Sequence, residues 1–106
     1  MDGKGRKISL ILKSELLGDA PANLRAVAFA YGEKEISFFC YFDGEISEDN
    51  REAMLSIKTV LAGFFPEENY VAHHVVPCDY PQALPSSELH REYYQSELYW
   101  AYHRKE

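Results

Sequence analysis

Four residues between positions 73 and 79 have side chains that commonly bind metals: His73, His74, Cys78 and Asp79. Adjacent residues of a β-strand point to opposite faces of a sheet, so neighbouring histidines rarely reach the same metal ion. Zinc sites usually place paired ligands at short, regular spacings on turns instead. We therefore expect no bound metal and no other cofactor. One histidine should pack under a helix, and the other should face solvent or a partner.

The sequence also lacks a pattern typical of an enzyme. It holds only six glycines, and none of them forms a glycine-rich phosphate loop. A catalytic nucleophile needs a base and a group that orients the base, and no serine is set apart by such neighbours. Pairs of carboxylates arise by chance in a chain with 17 Asp and Glu residues. We predict that the protein is not an enzyme; the alternative hypothesis is a small metal-binding or enzymatic domain that uses the four residues above.

Negative charge is concentrated in one part of the chain. Residues 43–97 hold eleven acidic and three basic side chains, whereas residues 1–42 and residues 98–106 each have a net charge of +1. The total of -6 disfavours nucleic acid as a partner but attracts a basic protein surface. The densest acidic cluster contains Asp43, Glu45, Glu48, Asp49 and Glu52. We predict that it attracts a basic partner; the alternative is a solvated face in which Glu48 and Asp49 only stabilise a first helical turn.

Aromatic residues form a second cluster near the C-terminal end. Five of the chain's aromatic side chains fall within ten residues: Tyr93, Tyr94, Tyr99, Trp100 and Tyr102. In a regular strand, Trp100 and Tyr102 would share one face and Tyr99 would lie on the other. Tyr and Trp are preferred anchors of protein interfaces, because they bring a large contact area at a small entropic cost. We predict that Tyr93, Tyr94, Tyr99 and Trp100 contact the partner, while at least two of the five aromatics pack on the core.

Several classes of protein are disfavoured by the same sequence. No apolar run approaches the roughly 18 residues of a membrane-spanning helix. Residues 8–17 make a poor signal-peptide core, because Ser9, Lys13 and other polar residues interrupt them. Two cysteines, Cys40 and Cys78, are too few for a disulfide framework. We expect a reduced, cytoplasmic protein without a membrane partner, folded as a single domain over residues 1–106.

The hydrophobic pattern predicts the elements that position these residues. Apolar residues at three- and four-residue spacing indicate two helices, over residues 8–17 and from the N-cap Ser47 to about residue 65. Alternating or β-branched segments indicate strands over residues 24–31, 35–42, 70–76 and 98–104. A loop covers residues 77–87, and residues 87–95 form a short helix or extend that loop. The order αββαββ predicts a two-layer α+β domain, with a four-stranded antiparallel sheet and both helices on one face.

Four blocks of sequence carry a family resemblance. They are Leu16-Leu17-Gly18 with Pro21 and Asn23–Val27, Tyr41–Glu48, Asp79-Tyr80-Pro81, and Tyr102–Glu106. Together they resemble the small bacterial immunity proteins of contact-dependent growth inhibition and related polymorphic toxin systems. The Tyr41–Glu48 block is the most specific of the four. Residues 86–97 exceed the compact loop expected there, and we expect this stretch to take part in recognising the chain's own toxin.

The resemblance implies binding rather than catalysis. An immunity protein remains in the cytoplasm of the producing cell and captures the C-terminal toxin domain that sibling cells deliver. Many such toxins are nucleases, whose basic substrate surface an acidic inhibitor can occupy. We therefore predict a stoichiometric inhibitor of a cognate toxin domain, monomeric or weakly dimeric when free. The further alternative is a generic interaction domain that self-associates through its sheet edge and tyrosines.

Overall fold

In the residues that the structure describes, two helices and four strands follow one another in the predicted order. A computed structural model describes residues 2–18, 20–84 and 97–106. Its elements are α1 (Gly3–Leu16), β1 (Leu24–Tyr31), β2 (Glu35–Phe42), α2 (Glu48–Phe64), β3 (Tyr70–Pro77) and β4 (Tyr99–His103). The predicted α+β class and the element order αββαββ are confirmed. The short helix or loop predicted over residues 87–95 lies outside the described residues.

The β1–β2 hairpin forms the centre of the sheet. The two strands are antiparallel, with Val27 opposite Cys40, and the turn closes with a 2.9 Å bond from Gly32 N to Glu35 O. Side chains alternate between the two faces, so Val27 and Phe29 pack towards the helices while the alanines of β1 face the other side. Both strands have the predicted bounds.

The sheet is mixed, which corrects the prediction of an all-antiparallel sheet. Its strand order is β3-β2-β1-β4. Strand β4 is antiparallel to β1, but β3 is parallel to β2, from Glu35 opposite Tyr70 to Phe42 opposite Pro77. The physical reason is α2, which carries the chain back to the end of the sheet where β2 begins. A helical crossover of this kind is the usual link between neighbouring parallel strands.

The main core lies between the sheet and the two helices. Helix α1 contributes Ile8, Leu12 and Leu16, and α2 contributes Met54, Ile57 and Leu61. This three- and four-residue spacing puts each set on one helical face. The sheet supplies buried aromatic side chains beneath them, of which Phe29, Phe38 and Phe42 are fully buried. In the described ranges both helices pack on this face, as predicted.

The opposite face of the sheet buries a second, smaller cluster. The strands contribute Ala26, Ala28, Ala30, Phe39 and Tyr41. Cys78 and Leu98 pack onto them, together with the partly buried Leu84 and Trp100. The segments that follow β3 and precede β4 therefore cover part of this face.

Candidate functional site

A network of hydrogen bonds fixes the start of α2. Ser47 is the N-cap, as predicted: its Oγ accepts from Asn50 N at 3.1 Å, and Asn50 Oδ1 accepts from Ser47 N at 3.0 Å. Asn50 is buried and also bonds Asn23, just before β1, at 2.8 Å. Because a reciprocal capping box satisfies amides that the helix leaves open, it sets the helix start. The acids around the cap are therefore held by a rigid frame.

Four of the five predicted acids form one exposed group, here called the acidic surface. It consists of Glu45, Glu48, Asp49 and Glu52. None of the four makes an ion pair with any residue in the described part of the chain. Two of them, Glu48 and Asp49, also lie in the first turn of α2, where the helix dipole favours negative charge. Their carboxylates are open to a partner.

The fifth acid, Asp43, is bound inside the chain. Its Oδ1 accepts a hydrogen bond from Tyr80 N at 3.0 Å, and its Oδ2 lies 3.2 Å from Arg104 Nη2. These two contacts hold the pKa of the Asp43 carboxyl below its ordinary value. In the opposite direction, the Asp79 carboxylate accepts a hydrogen bond from Gly44 N at 2.7 Å. Asp43 and Asp79 therefore tie the β2–α2 loop to the turn after β3.

Arg25 is the centre of a second ionic group. The β1–β2 ladder skips this residue, and such a bulge redirects a side chain. Arg25 is only 3% exposed, yet its guanidinium meets the Glu106 carboxylate through two bonds of 2.7 and 2.9 Å. It also donates to the carbonyls of Cys78 and Gln82, at 2.9 and 2.7 Å. A fork-shaped contact of this kind is among the stronger ion pairs in proteins.

Arg104 joins the two ionic groups into one, here called the arginine junction: Arg25, Asp43, Arg104 and Glu106. The Nη2 atom of Arg104 lies 3.0 Å from Glu106 Oε2 and also bonds Asp43. Hydrogen bonds from Arg25, and then Arg104, lower the pKa of Glu106 to about 2. The junction was not predicted, because its members lie up to 81 residues apart. The available signal was a charged residue, Arg25, inside an apolar strand.

The residues of the alternative, metal-binding hypothesis do not converge. His73 stacks on Phe38 on the helix side of the sheet, whereas His74 stacks on Phe39 on the opposite side. This confirms that the two histidines point to opposite faces. No group of three or more His, Cys, Asp or Glu side chains suited to a metal occurs among residues 2–18, 20–84 and 97–106. Cys78 instead accepts a 3.3 Å hydrogen bond from Arg25.

The described aromatic residues pack on both faces of the β4 edge. Tyr99 packs against Phe29 at 5.5 Å between ring centroids, and its hydroxyl donates to Glu97 at 2.8 Å. Trp100 lies on the other face, 5.9 Å from the ring of Tyr41. Both are half-buried. Tyr93 and Tyr94 lie outside the described residues.

The prediction that Trp100 and Tyr102 share a face is wrong. The β1–β4 ladder pairs Val27 with Tyr102 and Ala28 with Trp100, so it skips Ala101. The extra residue breaks the alternation of side chains. Tyr102 therefore packs with Tyr99 on the helix side.

The acidic surface and the described aromatics are not brought together. Helix α2 packs along β3, at one edge of the sheet, and β4 forms the other edge. Glu45 follows the end of β2, which pairs with the start of β1, whereas Tyr99 pairs with Phe29 near the end of β1. The acids and Tyr99 thus lie at different edges and different ends of the sheet.

Two of the open grooves beside the helices in the described residues lie next to the features above. The larger, of about 490 Å³, lies between the end of α1 and β4, and Leu16, Leu17 and Ala20 contribute to its apolar lining. The smaller, of about 220 Å³, is here called the α2–β3 groove. Its lining consists of Glu48, Arg51, Glu52, Leu55, His73 and Val75. The smaller groove shares two carboxylates with the acidic surface, so it is part of the candidate site.

The comparisons with known proteins agree with a binding role. No described helix is both long and apolar enough to cross a membrane. A search of curated proteins finds no match to the chain. A family model described as MafI2 immunity protein matches residues 6–106, which span nearly the whole chain. The family points to a toxin-neutralising function, in line with exposed acids that have no partner in the described chain. The chain belongs to the MafI2 immunity protein family.

Proposed function

We propose that this protein binds the C-terminal domain of a cognate toxin, a nuclease, and neutralises it as a one-to-one inhibitor without turnover. The observation that carries the proposal is the acidic surface: four exposed carboxylates on a rigid helix start, without ion pairs in the described chain. Membership in an immunity protein family supplies the class of partner. The free chain is a monomer or a weak dimer and acts in the cytoplasm of the cell that makes it.

The acidic surface suits a nuclease for an electrostatic reason. An enzyme that binds nucleic acid presents lysine and arginine side chains to phosphates. Carboxylates held at fixed positions can occupy that surface in place of the phosphates. Charges of opposite sign also accelerate the encounter and orient the two proteins before they touch. Asp43 contributes less to this field than its neighbours, because Arg104 balances its charge.

The aromatic residues supply contact area in this proposal. Tyr99 and Trp100 are half-buried at the β4 edge, and we propose that their exposed parts meet the toxin together with Tyr93 and Tyr94. A toxin that contacts both the acids and these aromatics must reach across the molecule. We therefore propose that the acidic surface steers the toxin during the encounter. The aromatics make the direct contacts that form later, in the bound complex.

The test is the rate of association with the C-terminal toxin domain that we expect the neighbouring reading frame to encode. Two carboxylates of the acidic surface are reversed in the variant Glu45→Lys/Asp49→Lys. The matched control is Glu33→Lys/Glu67→Lys, which makes the same change in net charge at exposed positions outside this surface. Stopped-flow mixing at several salt concentrations gives the rates, and sedimentation gives the stoichiometry.

We expect association of the acidic-surface variant to be at least about tenfold slower at low salt, and its salt dependence to be flatter. The control should remain within about threefold of the wild type. Equal rates for the two variants at every salt concentration would contradict steering by the acidic surface. Failure of the wild-type chain to bind the domain, or to protect cells that express it, would refute the proposed function itself.

A further inference from the structure

The α2–β3 groove is assembled by the periodicities of a helix and a strand. Glu48, Glu52 and Leu55 follow each other at spacings of four and three, so they lie along one side of α2. His73 and Val75 are two residues apart on β3 and point to the same side of the sheet. Strand β3 is an edge of the sheet, so the groove opens at the border of the molecule.

The lining combines an apolar wall with a charged rim. Leu55 is 49% exposed, and Val75 beside it is half-buried, so both present apolar surface to the groove. Two carboxylates, those of Glu48 and Glu52, stand against the single guanidinium of Arg51. Burial, and then the charge of Lys58, lowers the pKa of His73, which disfavours the positively charged form of this imidazole. The lining is therefore apolar and net negative.

Such a lining matches the two parts of a long basic side chain. The methylene stem of lysine or arginine gains by covering apolar surface, while its charged end seeks carboxylates. A cavity of about 220 Å³ has room for a single side chain of this kind. An acidic side chain would meet two carboxylates for one guanidinium in the rim. A purely apolar side chain would cover the charged groups without pairing them.

We propose that the α2–β3 groove captures one basic side chain of the toxin domain, with its stem against Leu55 and Val75 and its cationic end at Glu48 and Glu52. The inference rests on the proposed function and adds the residue chemistry that the toxin presents. It also divides the acidic surface into two parts. Glu48 and Glu52 bind the basic side chain in the complex and slow its dissociation. Glu45 and Asp49 act mainly by electrostatic attraction during association.

The experiment compares two substitutions that remove the same charge from the same end of the molecule. Glu52→Gln removes a carboxylate that lines the groove, and Glu45→Gln removes one that does not. Leu55→Trp adds an uncharged variant that obstructs the groove from an exposed position, where the fold tolerates a larger side chain. Each variant is mixed with the purified toxin domain, and association and dissociation rates are measured separately. Thermal unfolding of each free variant checks that it is folded.

We expect dissociation to become at least about tenfold faster for Glu52→Gln and for Leu55→Trp, with association changed by less than about threefold. Glu45→Gln should leave dissociation within about twofold of the wild type. Equal dissociation rates for Glu52→Gln and Glu45→Gln, or a Leu55→Trp variant that dissociates like the wild type, would overturn the groove while leaving toxin binding intact. A wild-type chain that does not bind the domain would overturn the proposed function, and this inference with it.

Discussion

Two charged regions of this small protein follow opposite rules. In the arginine junction each charged side chain has a partner inside the chain, and Arg25 alone makes bonds to one carboxylate and two carbonyls. In the acidic surface, a few residues further along from Asp43, no carboxylate has an ionic partner among the residues described. Neighbouring acids can thus differ completely in what their charge does.

The difference teaches where to look for function in an acidic chain. A buried ion pair is expensive to assemble and harmful to break, so its members serve the fold. An exposed, unpaired charge adds little to stability and remains available for binding. Stability and toxin binding should therefore be separable by mutation, and three experiments test this separation.

The largest effect is expected at Arg25. Replacement by methionine, Arg25→Met, keeps the volume but leaves the Glu106 carboxylate and the carbonyls of Cys78 and Gln82 without this donor. We expect a loss of about 3 kcal/mol in the free energy of unfolding, measured by urea denaturation. The control Arg6→Met, at an exposed position of α1, should stay within about 0.5 kcal/mol of the wild type. Similar losses of unfolding free energy for the two variants would contradict a special role of the arginine junction in stability.

A smaller effect should separate two aspartates that are close in sequence. Asp43→Ala removes the acceptor for Tyr80 N and the partner of Arg104, so we expect the midpoint of thermal unfolding to fall by about 5 °C. Asp49→Ala removes only a helix-dipole contact and should lower it by about 1–2 °C. Toxin association should respond in the reverse order. If both variants have the same unfolding midpoint, Asp43 belongs with the acidic surface after all.

The smallest expected effect is a change in stability when the arginine junction is titrated with acid. The pKa of Glu106 is lowered from 4.5 to about 2 in the folded chain. A carboxyl with a lowered pKa stabilises the fold above its ordinary pKa, and this stabilisation is lost as the pH falls towards the folded value. We expect urea denaturation to show a loss of stability between about pH 4.5 and pH 2. Glu106→Gln should be less stable than wild type at neutral pH and should show a flatter loss in that window; an unchanged slope would contradict the assignment.

The local parts of the fold were accessible from sequence. The β1–β2 hairpin has the predicted bounds because alternation in Leu24–Tyr31 and the aromatic content of Glu35–Phe42 act over a few residues. The start of α2 follows from Ser47, whose cap bond reaches only three residues ahead. Elements of this kind depend on residues that are close together in the sequence, so the sequence alone predicts them.

Long-range features were not accessible in the same way. The parallel direction of β3 depends on α2 returning the chain to the start of β2, which is a property of the whole crossover. The bulge at Ala101 depends on which residues of β4 meet β1, across more than seventy residues of chain. The same limit applies to the site. Four of the acids are exposed as expected, but Asp43 forms an ion pair with Arg104 and accepts a hydrogen bond from Tyr80 N, and both residues are distant in sequence.

The blocks that carry the family resemblance have a structural explanation. Each of the four contributes to the arginine junction or to the loops tied to it, through Arg25, Asp43, Tyr80 and Arg104. These residues hold the fold. Of the α2–β3 groove, only Glu48 lies within a block. The resemblance thus reports mainly a shared scaffold, together with Glu45 and Glu48 of the acidic surface.

Both sulfhydryl groups lie inside the protein, which makes the molecule convenient for site-directed labelling. Cys40 is fully buried, with its pKa raised by that burial, and Cys78 is almost as well covered. Since the sequence contains no other cysteine, a maleimide dye would find few native targets on the folded chain. A single cysteine introduced at exposed Ser56, next to Leu55 on α2, would therefore carry a fluorophore beside the α2–β3 groove, where docking of the toxin could be followed as a change in emission.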